Sequence, residues 1–338
     1  MLARSRWARL GQRWGWLSAL VALLALVSGA CEREPQVLQP TYSTREEIFQ
    51  TEVVNLGLER LGFAVDAPGK QLSYATAHAA IAEGNSDYAA NHWNPLHDPF
   101  FQSSGGESAL QRLDTIVAPA LQGYLVDGQT ARAVGLSSLQ QLRQPEIAER
   151  FDTDGDGRAN LLGCNPGWQC ESVIEHHLQE YGLEDTVEQE QGIYSDMMAD
   201  AIERFERGEP ILYYGWIPSW VGAVLQPGSD VQWLTVPYTS LPQRPLTAEN
   251  TQMNGQNLGF PANQIQTLAN AGFAQRHPVV RRWLELVEIP ISDLNAEYRY
   301  MRRNDATPAD IRDRAQDWIA QHEHQFERWL ERARNAAR

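Results

Sequence analysis

The chain has 338 residues, 43% of them hydrophobic, with 25 Gly and 18 Pro. That length suits about two domains, and the composition excludes a coiled coil, a collagen-like repeat and wholesale disorder. Lys and Arg number 28 against 43 Asp and Glu, a formal net charge of −15, and Lys70 is the single lysine. A surface this acidic does not track a phosphate backbone, so nucleic acid is not an expected partner. A cationic or zwitterionic partner fits better. Salt adaptation and GC-rich coding would each give an acidic, Lys-poor chain.

Residues 1–30 differ from the rest. Arg4, Arg6, Arg9 and Arg13 precede an apolar run from Trp16 to Val27, and Ser28-Gly29-Ala30-Cys31 follows. This is the basic, apolar and small-residue order of a secretory signal. The run is too short to cross a bilayer comfortably as a helix. A cysteine directly after small residues is similar to the lipobox of bacterial lipoproteins, although Ser28 stands where Leu is usual. Cys31 is therefore the expected lipid anchor, with simple cleavage nearby as the alternative. Removing residues 1–30 takes away four Arg and no acid, and moves the charge from −15 to −19.

There are three cysteines, Cys31, Cys164 and Cys170. In an exported protein, two Cys in one short loop most simply form a disulfide. Two free thiols, or half of a metal site, are the other readings.

In chain order, residues 31–40 read as a Pro-containing tether. Thr44-Arg45-Glu46-Glu47 is a capping-box pattern, followed by a helix to about Arg60 with Gly62 as its stop. Phe63-Ala64-Val65 reads as a strand, Tyr74 to Glu83 as a helix ending at Gly84, and Tyr88-Ala89-Ala90 as a strand. Gln122 to Val126 is strand-like, and Leu136–Arg150 reads as helical. After the Asp/Gly and cysteine loops come a helix over about Ser195–Arg207 and strands at Ile211–Tyr214 and Val231–Leu234. From about Ala262 onward the pattern is mostly helical. Alternating short helices and strands predict an α/β layer with a largely parallel sheet.

Eight of the 11 Trp follow residue 30. Trp283, Trp318 and Trp329 have helical spacing and read as packing residues, as does Trp233 in an apolar strand. Trp93, Trp168 and Trp216 instead sit in loops or at strand ends beside Asn, Pro, Gly or His. Aromatics in rigid loops suit a recognition site. Several indole faces around one point can hold a quaternary ammonium, because the ring quadrupole attracts the cation. Separate packing roles are the competing explanation.

Four segments carry a resemblance: Trp93-Asn94-Pro95-Leu96-His97-Asp98, Phe151–Gly157, Gly163–Glu171 and Tyr213–Trp220. They resemble the glycine betaine/proline betaine-binding proteins, the periplasmic components of osmoprotectant ABC importers. The likeness runs from about Thr41 to Leu330, and its most specific part is the cysteine loop.

The resemblance implies an α/β, two-lobed periplasmic-binding-protein fold, type II-like, with the ligand cleft between lobes. Residues 41–126 plus 258–338 would form one lobe and 127–257 the other. It implies a cage of Trp93, Trp168 and Trp216. His97 and the backbone N–H groups of Gln169 and Cys170 would take the ligand carboxylate, and Cys164 and Cys170 would be bridged. Gln169 stands where the family pattern has Gly. The implied partners are a betaine-type ligand, an ABC permease and its ATPase. The protein would be a monomer in the periplasm or on the outer face of the membrane, held there only by a lipid anchor.

Other candidates have plainer readings. Asp152 to Asn160 mimics the start of an EF-hand loop, but Gly163 occupies the position of the bidentate Glu, so an Asp/Gly turn is expected. His176 and His177 read as surface residues, and His322 and His324 as solvated. His92 adjoins the site, with its ring direction open. No Gly-x-Ser-x-Gly, phosphate loop, dinucleotide fingerprint or His-Glu-x-x-His occurs. No cofactor, metal or catalytic residue is expected. The rival functions are an exported enzyme acting on quaternary amines and an osmolyte sensor without transport.

Overall fold

The computed structural model describes residues 37–242 and 251–336. The signal-like segment, Cys31 and most of the predicted tether lie outside the described residues. A nine-stranded sheet organises the chain. Its strands are β2 (Pro40–Tyr42), β4 (Lys70–Gln71), β5 (Tyr88–Asn94), β6 (Leu110–Asp127), β7 (Ala159–Leu162), β8 (Val187–Glu190), β9 (Leu212–Ile217), β10 (Val231–Leu234) and β13 (Asn263–Asn270). The order is β4-β2-β5-β13-β6-β9-β7-β8, with β10 also on β6. Two small pairs stand apart: β1 (Val37–Leu38) with β3 (Ala64–Val65), and β11 (Gln252–Met253) with β12 (Gln256–Asn257).

The 18-residue β6 joins two halves of the sheet. Leu110 to Ala120 pair antiparallel with β13. From Leu121 onward the strand pairs with β9, and from Tyr124 also with β10. Its last residues are buried without a break, as a strand covered on both faces requires.

The sheet is mixed, which corrects the largely parallel expectation. The β2/β4, β2/β5, β7/β8 and β7/β9 pairs are parallel, whereas every pairing of β6 and β13 is antiparallel. Strand β13 also corrects the helical reading from residue 262. Its buried positions fall mainly at Asn263, Ile265, Thr267 and Ala269, a period of two, and the helices begin only at Ala271. Leu136–Arg150 is no continuous helix. A 3₁₀ turn covers Leu139–Arg143 and a short helix Pro145–Ala148, because Pro145 cannot continue the turn before it.

The predicted helix after Thr44 starts later, at Glu47, and ends at Arg60. Thr44 does not cap it in the expected way. The Glu47 carboxylate instead accepts from the Ser43 N–H at 2.7 Å and the Thr44 hydroxyl at 3.3 Å. The Tyr74–Glu83 helix ends as predicted, at Gly84 with φ 77°. Trp283, Trp318 and Trp329 are buried packing residues. Trp283 lies flat on the helix backbone at Gly57, where an added Cβ would meet its ring at 1.9 Å, and its Nε1 donates to the Val54 carbonyl at 3.0 Å.

Two histidine expectations are corrected. His177 is fully buried: it accepts from the Tyr124 hydroxyl at 2.7 Å and donates to the Ser240 carbonyl at 2.8 Å. His322 is half-buried and stacks on Trp318 at 4.3 Å between ring centroids. In both, a flat ring fills space between elements that a helical pattern alone does not reveal.

Candidate functional site: an aromatic cavity

Where the two halves of the sheet meet, one cavity of about 400 Å³ opens. Trp93, His97, Trp168, Gln169, Cys170 and Trp216 all line it. They reach it from three separate segments. Trp93 sits near the end of β5, His97 just before the Asp98–Ser103 helix, and Trp216 near the end of β9. Trp168 is the N-cap of the Gln169–Glu180 helix.

The cysteine loop is tied at its base. Cys164 and Cys170 are disulfide-bonded with Cα atoms 6.4 Å apart. Between them, Gly167 takes φ 82°, a left-handed turn that favours Gly. Its N–H donates to Glu171 at 2.6 Å. Gln169 and Cys170 open the helix, so their N–H groups have no intrahelical acceptor. Both belong to the cavity wall, and the positive end of the helix dipole lies there too.

The rings form a connected set. Trp168 meets Trp216 at 5.7 Å and 69°. Tyr74 meets Trp168 at 5.8 Å and His97 at 4.4 Å, and Tyr194 lies 4.5 Å from Trp216. Polar bonds orient three of the lining aromatics. Trp93 Nε1 donates to Asn91 at 3.1 Å, the Tyr194 hydroxyl to the Tyr214 carbonyl at 3.0 Å, and the Tyr214 hydroxyl to Gln122 at 2.5 Å. Such bonds hold the ring faces before any ligand arrives.

His97 has one ring nitrogen committed. Its Nδ1 accepts from the Trp93 backbone N–H at 3.2 Å. In the neutral ring the proton is then on Nε2, a donor available to the cavity. Burial keeps the ring neutral by pushing its pKa well below the ordinary value, with His78 adding to the shift. Glu47 stands on the same wall, and burial raises its pKa to about 7 against the bonds from Ser43 and Tyr74. The Tyr74 hydroxyl donates to it at 2.8 Å.

Tyr74, Tyr194, Tyr214 and Glu47 line the cavity but were not singled out from the sequence. The Tyr residues lie within ordinary helix and strand patterns. Tyr214 alone had a signal, since it sits inside one of the four resembling segments. His92 is buried and faces His78 and His97, not solvent. The Asp/Gly loop is a self-satisfied turn. Asp152 accepts from the N–H groups of Gly155 and Gly157, and Asp156 from that of Arg158.

The four-segment resemblance extends to whole chains. A glycine betaine-binding periplasmic protein of Dickeya dadantii is 41% identical over 302 residues, 89% of this chain and 91% of that protein. A glycine betaine/proline betaine-binding periplasmic protein of Escherichia coli is 40% identical, covering 88% of this chain and 89% of its own. Among solved structures, lactococcal OpuAC in closed form with glycine betaine superposes with a TM-score of 0.66 at 20% identity, over 87% of this chain and 99% of that one. A choline-binding protein with choline gives 0.68 at 16% identity, over 87% and 91%. These two establish the shared binding-protein fold, with its ligand between two lobes. Residues 41–321 match the substrate binding domain of ABC-type glycine betaine transport systems, and the chain belongs to that family.

Proposed function

We propose that this protein captures a betaine-type zwitterion outside the cytoplasmic membrane and delivers it to an ABC permease powered by a separate ATPase. One observation carries the reading. Three Trp from distant segments share a cavity with a neutral imidazole donor and two free helix-end amides. A betaine has a bulky methylated cation a few bonds from a carboxylate. The cation needs ring faces and no hydrogen-bond acceptor. The carboxylate takes charge-assisted bonds from His97 Nε2 and the amides of Gln169 and Cys170. The Gln169 side chain, in place of the family Gly, narrows the cavity wall and tunes ligand choice.

Residues 41–120 with the segment from 258 form one lobe, and 121–257 the other. We put the border inside β6 because the strand changes partners there; the boundary expected from the sequence lies after Val126. Closure of such lobes over a ligand is a hinge motion. The protein acts as a monomer without cofactor or turnover, and Cys31 is its lipid anchor. Among the described residues no helix is long and apolar enough to cross a membrane.

Calorimetry with glycine betaine, proline betaine, carnitine, ectoine and choline tests this, with mass spectrometry of the recovered ligand. Tight binding of an unaltered carboxylate-bearing betaine is expected. Absence of binding across the panel, or a chemically changed ligand, overturns it.

A further inference from the structure

Behind the cavity wall three imidazoles converge. His78 comes from the Tyr74–Glu83 helix, His92 from β5 and His97 from the turn after it. All three are buried, at 3%, 1% and 3% exposure. One ring nitrogen of each lies within 4.8 Å of the others. Their hydrogen bonds decide where the protons are. His78 Nδ1 faces the Tyr74 carbonyl at 2.7 Å, so it carries the proton and Nε2 keeps its lone pair. That lone pair accepts a hydrogen bond from the His92 Nδ1–H at 3.0 Å. His92 Nε2 is then a bare acceptor, and it is buried without a partner.

We propose that His78, His92 and His97 form a binding site for one divalent transition-metal ion of the Zn²⁺ class. Burial holds all three rings in the neutral form that ligates a metal. The Tyr74 carbonyl fixes the His78 tautomer, the outer hydrogen bond typical of metal-bound imidazole. Zn–N bonds of about 2.0–2.1 Å at tetrahedral angles need nitrogens about 3.3–3.4 Å apart. His78 Nε2 and His92 Nδ1 are nearly there. The ion replaces their shared proton, which moves to the free Nε2 of His92, so that ring releases no net proton. His97 joins through Nε2, shifting its proton to Nδ1 and giving up the long contact with the Trp93 amide. It borders the cavity, which provides the entry path. Arg112, the cation that depresses His78 and His92, is itself paired with Asp98 at 3.3 Å.

Because His97 Nε2 cannot both ligate and donate, the ion opposes carboxylate binding. This second part rests on the proposed function; the metal site itself does not.

The test titrates ZnCl₂ into the full chain by calorimetry, and CoCl₂ with visible absorption, both without betaine. Expected are one ion per chain, a tetrahedral Co²⁺ spectrum, and a loss of about tenfold or more in His78→Ala and in His92→Gln. His92→Gln keeps a polar group of similar reach, and circular dichroism and a thermal melt check that both variants fold. Weak binding that persists in both folded variants marks adventitious surface sites and overturns the proposal, as does no binding by the unaltered chain. With Zn²⁺ saturating, glycine betaine affinity should fall by about tenfold; unchanged or raised affinity overturns the antagonism alone. If the unaltered chain binds Zn²⁺ but no betaine, the metal site stands and the ligand reading fails.

Discussion

The backbone N–H of Trp93 donates to Nδ1 of His97 across 3.2 Å, while the His97 N–H donates back to the Trp93 carbonyl at 2.7 Å. The residue read as a cage wall and the residue read as a carboxylate donor are thus locked together. The turn between them sets both the position of the indole and the tautomer of the imidazole. A ligand meeting this segment touches one preformed unit, which lowers the ordering cost of binding.

The cage reading makes a prediction for the two indoles that touch. Trp168→Ala and Trp216→Ala should each weaken glycine betaine binding by roughly 1–2 kcal/mol, about a factor of five to thirty in Kd. Calorimetry measures it, and wild-type affinity in both variants would sink the cage.

The two ends of the ligand should separate in the His97→Ala variant. Glycine betaine affinity should drop by about tenfold or more, the value of a bond to a charged acceptor. Choline has no carboxylate, so its affinity should move little. Equal losses for both ligands would mean that His97 only supports the fold.

Glu47 gives stability a pH slope. Burial lifts its folded pKa from 4.5 to about 7, so the folded state holds a proton that the unfolded chain has already lost above pH 4.5. Its contribution therefore favours folding at low pH and disappears as pH rises from about 4.5 through 7. The span is on the order of 2–3 kcal/mol. Urea unfolding at pH 5 and pH 8 should show wild type losing stability relative to Glu47→Gln as pH rises. Parallel curves would contradict a raised pKa.

Gly57 packs directly against the Trp283 indole. A methyl at position 57 would overlap the indole at 1.9 Å. Gly57→Ala should destabilise by about 1–3 kcal/mol or more through overpacking, against the gain Ala normally brings to a helix. Thermal melting decides the sign; a stabilised variant would show that the ring can retreat.

The sequence alone determined much of the candidate site. Trp93, Trp168 and Trp216 stood out because Asn, Pro, Gly and His surround them, settings where an indole has little local apolar company. The helix ending at Gly84 and strand β10 were legible because period and stop signals are local. Tertiary structure decided the rest. Strand β13 sits amid helices and is a strand because β5 and β6 hold it on both edges. Tyr74, Tyr194 and Glu47 reach the cavity only once their helices pack. The same is true of the imidazoles. His78, His92 and His97 match no metal spacing along the chain, and only the packing of a helix against a strand and its following turn brings their nitrogens within 4.8 Å. Hydrogen bonds to the Tyr74 carbonyl, to the Trp93 amide and between His78 and His92, absent from any linear pattern, then set the tautomer of each.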